Sequence, residues 1–306
     1  MDFPQSGHDP VLLKETVELL SPGPGKVMVD CTLGRGGHAR AIAEALGPGG
    51  LLLALDADPR NLEYARARLA EDPRPPCPPC PIRFFHANFA DLSDVLSVAG
   101  VGKVDGILAD LGISTNQLFE ESYGLSFSQA MPLDMRIDPR TTTTAADLVN
   151  KMREEELANV LYKNAQEHYS RRISRKIVEA RHFSPINTTD RLAELVRSAV
   201  PLRGGAPAKI DPATRTFMAL RMEVNRELEN LDALLSQAPE LLKSGGRLAV
   251  ISFHSTEDRM VKQAFRSAEQ GGRLKLITKK PLSPTDEEVS VNPRSRSAKL
   301  RVGERV

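Results

Sequence analysis

The sequence predicts an α/β protein in which a mostly parallel, helix-covered sheet is interrupted by an all-helical domain. Short continuous apolar runs alternate with helical patterns up to residue 109, which is typical of parallel strands covered on both faces. No convincing strand then follows until 246–252, and the residues between show helical patterns, although one crossover needs only about a dozen residues. We therefore predict a first sheet segment at 1–111, a helical insert at 112–211 and a second sheet segment at 212–306.

The predicted elements follow one another along the chain. A short helix at 11–20 ends at a Pro/Gly breaker, 21–25. Strands are predicted at 26–31, 51–55, 82–85, 104–109, 246–252, 274–278 and 298–302. Further helices are predicted at 38–46, 59–69, 154–163, 167–181, 189–200 and 213–238. The last of these helices returns the chain to the sheet, and a Pro-containing loop joins the last two strands.

The composition is that of an ordinary globular protein, with 41% hydrophobic and 26% charged residues and a net charge of +1. No apolar run reaches the ~18 residues that span a membrane, and the N-terminus lacks a signal core, which favours a cytoplasmic protein. Positive charge is local, at 163–182, 203–226 and 289–306. These segments indicate either a nucleic-acid surface or simply solvated helix faces.

The three cysteines do not form a disulfide framework, because their number is small and odd. Cys77 and Cys80 make a single CxxC inside the proline-rich loop 73–81. One such pair without nearby histidines is a weak zinc signal, so we predict no metal.

A glycine-rich turn follows the first strand, which ends in Asp30. Gly34, Gly36 and Gly37 allow a sharp turn and a close ligand approach, and the next helix presents free N–H groups. Asp56 ends the second strand, about where an acidic residue holds ribose hydroxyls in nucleotide-binding sheets. The pattern predicts a nucleoside-containing cofactor, although it does not separate S-adenosylmethionine (SAM) from NAD, and a plain tight turn is the alternative.

Two later strand ends point to the same edge of the sheet. Phe89 follows the third strand and can either stack on an adenine or pack in the core. Asp110 ends the fourth strand, and ligands of open α/β sheets bind at carboxyl ends of strands. A helix cap is the alternative role for Asp110.

Several strings along nearly the whole chain resemble the RsmH (MraW) family of rRNA cytosine-N4 methyltransferases. They are HDPVLL at 8–13, GRGGH at 34–38, DLGIS at 110–114, PLDMRID at 132–138, ATRTF at 213–217, SFHS at 252–255 and NPRSRSAKLR at 292–301. The resemblance implies a Rossmann-like SAM-dependent methyltransferase sheet with a helical insert that recognises the substrate. It also implies a cytosine in the decoding region of small-subunit rRNA as the target. The chain departs from the family mainly after Asp110, where residues 114–119 read STNQLF.

The resemblance also carries site residues onto this chain. Its SAM contacts fall on Gly36, Gly37, His38, Asp56, Phe89, Asp110 and Gln117. Asp110, Asp134 and His254 are the catalytic candidates, because an acceptor must stabilise charge developing on the cytosine amine. Asp258 and Arg259 are expected to pair with each other or to cap a helix. Predicted RNA contacts are Arg136, Arg171, Arg172, Arg175, Lys176, Arg215, Arg294 and Arg296.

The expected partner is small-subunit rRNA or the ribosomal particle, rather than DNA or a membrane, and the protein can act as a homodimer. Two alternatives stay open. The first is a SAM methyltransferase of a protein or a small molecule, because a fold does not fix a function. The second is a non-catalytic, SAM-binding ribosome assembly factor.

Overall fold

The computed structural model describes residues 10–70, 80–201 and 211–306, with Thr115 described by its backbone only. The chain divides into two compact units, residues 1–114 with 229–306, here the sheet unit, and residues 115–228, here the helical unit. The sequence places the second boundary one helix earlier, at 211/212.

The centre of the sheet unit is a seven-stranded sheet. Its strands are β1 (Val27–Asp30), β2 (Leu51–Asp56), β3 (Ile82–His86), β4 (Val104–Asp110), β5 (Leu242–Ser252), β6 (Leu274–Leu276) and β7 (Lys299–Arg305). The spatial order is β3-β2-β1-β4-β5-β7-β6. The first five strands are parallel, whereas β7 runs antiparallel to both β5 and β6. The predicted α/β fold is therefore confirmed, with a mixed sheet in which β7 alone runs opposite to the other six strands.

The helices of the sheet unit cover both faces of this sheet. Thirteen α-helices occur in the described residues: α1 (Leu13–Leu20), α2 (Gly37–Leu46), α3 (Pro59–Ala70), α4 (Leu92–Ala99), α5 (Thr115–Phe119), α6 (Ala145–Lys151), α7 (Glu154–Ala165), α8 (Ser170–Arg181), α9 (Thr189–Ala199), α10 (Ala213–Val224), α11 (Glu227–Leu241), α12 (Ser255–Gln270) and α13 (Asp286–Val291). Leu52 and Ala54 of β2 belong to one apolar layer with α1, α2 and α3. Leu53 and Leu55 belong to the other layer, with α4, α11 and α12. Burial on both faces explains the continuous apolar runs of these strands.

The predicted helix at 213–238 is in fact two helices, α10 and α11. The helix is interrupted at Arg226, whose backbone is in the left-handed region with a φ of 51°. The side chain of Asn225 bridges this break to the turn at 132–138, accepting from the Ile137 N–H and donating to the Met135 carbonyl. Because α10 packs on α7, α6 and α9, it belongs to the helical unit, which explains the later boundary.

Two smaller differences concern helical segments. The predicted helix at 167–181 begins only at Ser170, because Gln166 is left-handed and the Glu167 carboxylate accepts from the Tyr169 N–H. The loop between β6 and β7 contains α13 and a 3-10 helix, Pro293–Ser297. No helix among the described residues is long and apolar enough to cross a membrane.

Gly124 holds the helical unit's turn at 132–138 close to the preceding chain. Its φ is +60°, and a Cβ there would lie 1.9 Å from the Pro132 carbonyl oxygen. The next turn of chain is fixed by a 2.8 Å hydrogen bond from the Met135 N–H to the Tyr123 carbonyl. Only glycine fits, because any side chain would displace backbone rather than a flexible side chain.

We expect Gly124→Ala to lower the free energy of unfolding by about 3 kcal/mol or more, through left-handed strain plus this backbone clash. Urea unfolding followed by circular dichroism measures the change. Gly100→Ala is the matched control, because Gly100 is also left-handed (φ +68°) but has nothing within 4 Å of the new Cβ. That control should cost about 1–2 kcal/mol. Equal losses in the two variants would show that the clash is absent.

Candidate active site

The glycine-rich turn is held at the carboxyl end of the sheet by hydrogen bonds to two neighbouring strands. The Gly34 N–H donates to Asp56 Oδ2 (2.8 Å) at the end of β2. The Thr32 hydroxyl oxygen accepts from the Asp110 N–H (2.7 Å) at the end of β4. Gly36 is left-handed, with φ 80°, and lies at the N-terminus of α2. The turn thus brings the ends of β1, β2 and β4 to one place.

Asp56 is predicted to bind ribose, and the structure commits much of its carboxylate to the protein. Besides Gly34, it accepts from the Asp58 N–H (2.8 Å) and from Asn61 Nδ2 (3.2 Å). A carboxylate has about four acceptor positions, so these three donors leave capacity for one more. Asp56 therefore fastens the glycine turn to β2, and its ribose contact stays a prediction.

Asp110 and His38 form a buried pair. Asp110 Oδ2 lies 3.5 Å from His38 Nδ1, and His38 Nε2 lies 3.1 Å from the Val11 carbonyl oxygen. Because a carbonyl only accepts, we assign a proton to Nε2. Nδ1 and Oδ2 then face each other, and a proton on either atom joins the two groups. The pairing makes His38 the side chain that orients Asp110.

The second oxygen of Asp110 is available to a ligand. Oδ1 is buried and has no hydrogen-bond partner among the described residues. Burial raises the pKa of Asp110 well above its ordinary value, and the negative charges of Asp30 and Glu257 raise it further. An unpaired buried acceptor costs free energy unless something else satisfies it. Asp110 is thus the strongest candidate for a group that contacts substrate or cofactor.

Asp30, to which the sequence analysis assigns no role, belongs to the same cluster. Its Oδ1 accepts from the Thr32 N–H, and its Oδ2 is buried without a partner among the described residues. Burial raises the pKa of Asp30 to about 7 and that of Asp56 to about 6. A recognisable signal existed, because Asp30 ends its strand just as Asp56 and Asp110 end theirs. The burial of the Asp30 carboxyl, however, depends on the folded chain, so the sequence pattern alone does not reveal it.

His254, a predicted catalytic residue, has a local structural role. It is the N-cap of α12, where its Nδ1 accepts from the Glu257 N–H at 3.4 Å. Its Nε2 lies 3.1 Å from Glu257 Oε1, while Glu257 Oε2 accepts from the Phe253 N–H. His254 and Glu257 therefore form a capping box, and a contact of His254 with cytosine stays a prediction.

Asp258 does not pair with Arg259, contrary to the sequence analysis. Its carboxylate accepts from Arg301 Nε (2.8 Å) and Lys299 Nζ (3.3 Å). The start of α12 is thereby fastened to β7. A sequence neighbour was the wrong partner, because the antiparallel strand β7 brings its cations across the fold.

Asp134, Arg136 and Gln117 are predicted site residues that lie in the helical unit. Asp134 and Arg136 pair with each other, with Arg136 Nη2 2.6 Å from Asp134 Oδ2. Arg136 also donates from Nη1 to the Thr141 carbonyl, so both side chains stabilise their own turn. Gln117 is buried on α5. A cytosine contact of Asp134, a phosphate contact of Arg136 and a SAM contact of Gln117 stay predictions.

The remaining predicted residues differ in how far they are buried. Phe89 is half-buried in a 3-10 helix after β3 and packs against the core. The predicted RNA contacts Arg171, Arg172, Arg175, Lys176, Arg215, Arg294 and Arg296 are all exposed. Cys80 is buried and its thiol pKa is raised to about 11, whereas Cys77 and His8 lie outside the described residues.

Comparison with known proteins places the chain in a family. The model of the MraW methylase family matches residues 5–306. Ribosomal RNA small subunit methyltransferase H of Solibacter usitatus is 49% identical, over 96% of this chain and 98% of that protein. The protein of the same name from Fervidobacterium nodosum is 47% identical, over 98% and 97%.

Solved structures align with this chain at much lower identity. An rRNA methylase from Streptococcus thermophilus aligns at 11% identity and a TM-score of 0.40, over 96% of this chain and 93% of that one. A SAM-dependent O-methyltransferase from Thermotoga maritima aligns at 9% identity and a TM-score of 0.42, over 100% and 66%. The assignment therefore rests on the sequence relatives. Their near-complete coverage shows that this chain belongs to the MraW methylase family and is a SAM-dependent methyltransferase.

Proposed function

We propose that this protein transfers the methyl group of SAM to the exocyclic N4 amine of a cytosine in small-subunit rRNA. The observation that carries the proposal is the buried carboxyl of Asp110, oriented by His38, with one oxygen left for a hydrogen-bond donor. The relatives named ribosomal RNA small subunit methyltransferase H support RNA as the substrate. We place the reaction in the cytoplasm, on rRNA or an assembled particle, with a homodimer as a further expectation.

The carboxyl cluster fits SAM chemically. SAM carries a sulfonium cation, an amine and ribose hydroxyls, and all of these favour carboxylate partners. Asp30 and Asp110 each offer a buried oxygen without a partner in the described chain, and Asp56 adds a third negative group. When bound, SAM supplies an electrophilic methyl group. The residues that would hold it are the turn with Gly36 and Gly37, together with these carboxyls.

The protein must then make the N4 amine of cytosine more reactive towards the methyl group. The N4 lone pair of cytosine is delocalised into the ring, so the amine is a weak nucleophile. Asp110 Oδ1, as a carboxylate, accepts a hydrogen bond from the amine and so stabilises the positive charge that develops on nitrogen. When the amine takes the methyl group, the C–S bond of SAM would break and S-adenosylhomocysteine would leave. The amine proton would then pass to Asp110 Oδ1, while His38 holds Oδ2 in place. Positioning and charge stabilisation carry the catalysis.

The target base must leave its stack before it reaches a buried donor. Predicted phosphate contacts at Arg294 and Arg296 of the sheet unit are suited to holding the backbone of the flipped nucleotide, because phosphate contacts position a nucleic acid. Both side chains are exposed, as is Arg215, a predicted phosphate contact of the helical unit.

Labelled SAM tests which class of acceptor is used. We would incubate the protein with small ribosomal subunits that lack the modification, naked rRNA, DNA, ribosomal proteins and free small amines, and measure label in each. We expect label in RNA only. Label in protein or in small amines would instead favour another methyltransferase class. SAM binding without transfer to any acceptor would favour an assembly factor.

The raised pKa values make SAM affinity pH-dependent. In the free protein, burial keeps Asp30 (about 7), Asp56 (about 6) and Asp110 protonated to unusually high pH. A bound cation favours their ionised forms, so binding releases protons and tightens as pH rises. We expect SAM affinity to rise up to about tenfold per pH unit between pH 5.5 and 7, the slope of one released proton.

Isothermal titration calorimetry in buffers of different ionisation enthalpy measures the released protons directly. S-adenosylhomocysteine, which lacks the sulfonium charge, is the matched ligand and should show a weaker pH dependence. A SAM affinity that is flat across this range, with no proton release, would contradict a cation site at these carboxyls.

A further inference from the structure

The α8 helix of the helical unit presents a cationic face to solvent. Its Ile173 and Ile177 are buried. The opposite face carries four exposed cations, Arg171, Arg172, Arg175 and Lys176. Arg181, by contrast, donates to the Val149 and Met152 carbonyls and is part of the unit's own structure.

This arrangement is unfavourable for the folded protein alone. Arg171 with Arg175, and Arg172 with Lys176, are like-charge pairs four residues apart, which destabilise a helix. Arg171 and Arg172 also lie in the first turn, which has no acidic residue, at the positive end of the helix dipole. Among neighbouring acids, Glu154 lies 3.7 Å from Arg175, and Glu179 follows on α8 itself. A polyanionic partner would relieve this excess of positive charge.

Exposed aromatic rings lie at both ends of the cationic face. Helix α7 runs beside α8, with Glu154 contacting Arg175 and Asn159 accepting from Arg171 Nη2 at 3.2 Å. Tyr162 follows Asn159 by three residues on the same side of α7 and is 57% exposed, so it lies towards the start of α8.

Phe183 lies just beyond the other end of α8 and is 92% exposed. Its N–H donates to the Ala180 carbonyl, so the chain still turns helically there. It therefore continues the strip of Arg172, Lys176 and Glu179, which are spaced four and three residues apart. From Arg171 to Phe183 the helix rises about 18 Å.

We infer that this face, Tyr162, Arg171, Arg172, Arg175, Lys176 and Phe183, binds a single-stranded segment of the RNA substrate. The inference rests on the proposed function for the presence of RNA. Phosphates contact the cations, and unpaired bases stack on the two rings. A length of about 18 Å accommodates roughly five stacked nucleotides at 3.4 Å each. A duplex would leave both rings without a function, because its base faces are covered by pairing partners and neighbours.

Fluorescence anisotropy with two probes tests the inference, an unstructured 12-nucleotide RNA and a 12-base-pair RNA duplex. We expect Phe183→Ala and Tyr162→Ala each to weaken single-strand binding about tenfold, and duplex binding little. The double variant Arg172→Gln, Lys176→Gln should lower the slope of log affinity against log salt by about 1.4 for the single strand. Its melting temperature should equal or exceed that of the wild type, because like-charge repulsion is removed.

Two variants serve as controls. Arg191→Gln removes one exposed cation from α9, where Arg191 pairs with Glu194, and Val98→Ala trims an apolar side chain that is 81% exposed on α4. Neither should change binding of either probe.

The binding assay separates this inference from the proposed function. Variants that bind the single strand like the wild type would overturn the inference, even if the wild type methylates RNA. Equal weakening for duplex and single strand would overturn the preference for unpaired RNA. A wild type that leaves RNA unmethylated would overturn the proposed function, while the two probes still decide whether this face binds RNA.

Discussion

Asp110→Asn is expected to reduce single-turnover methyl transfer about 10³-fold, roughly 4 kcal/mol of transition-state stabilisation. The amide keeps the size of the carboxyl but removes the negative charge. It also places an N–H₂ group either against His38 Nδ1 or against the cytosine amine, where an acceptor is needed. The fold should be retained, because the described hydrogen bond of Asp110 that fastens the glycine turn uses its backbone N–H.

Single-turnover kinetics with saturating enzyme measure this step without the influence of product release. Asp94→Asn is the matched control, since it removes the same charge from an exposed position on α4 of the sheet unit. The control should react within about twofold of the wild type. If Asp110→Asn also stays within a few-fold, Asp110 does not accept from the amine.

The second large effect concerns stability. Asp30→Asn is expected to stabilise the protein at pH 8 while weakening SAM binding. Burial raises the pKa of Asp30 from 3.8 to about 7, so between these values the folded state holds a proton that the unfolded chain has lost. Stability therefore falls as pH rises through this window, and above pH 7 the ionised group costs roughly 4 kcal/mol.

The asparagine removes this charge and keeps the oxygen that accepts from the Thr32 N–H. Its buried N–H₂ group costs about 1–3 kcal/mol if it finds no partner, which leaves a net gain of about 2 kcal/mol at pH 8. Urea unfolding at pH 5 and pH 8 measures the difference, which should be smaller at pH 5. A variant that is less stable at pH 8, or whose gain is the same at both pH values, would contradict the buried charge.

The expected gain in stability of Asp30→Asn has a simple physical meaning. A cluster of buried carboxyls costs free energy in the empty protein and becomes favourable only when a cation is bound. The sheet unit would then be more stable without its binding site than with it, which is a common trade-off at functional sites.

Local patterns predicted the strands that matter for the site. The ends of β1, β2 and β4 follow from apolar runs that stop at Asp30, Asp56 and Asp110, and the glycine turn follows from composition. These features depend on neighbouring residues only. The reversed direction of β7 does not follow from the sequence pattern, because strand direction depends on the route of the chain between strands.

Side-chain partners were harder to predict than strands. Arg226 breaks the helix at 213–238 with a left-handed backbone, and no glycine marks the position. Asp134 and Arg136, two residues apart, form hydrogen bonds with each other, although the sequence predicts a substrate contact for each. The high pKa of Asp30 comes from burial, which depends on all the elements packed around β1.

The central claim is that this protein methylates the N4 amine of cytosine in small-subunit rRNA. The most direct measurement is mass spectrometry of nucleosides from small ribosomal subunits that lack the modification, after incubation with SAM and either the wild type or Asp110→Asn. The account predicts N4-methylcytidine with the wild type and almost none with the variant. A methyl group on another atom or base, or equal N4-methylcytidine from both proteins, would contradict it.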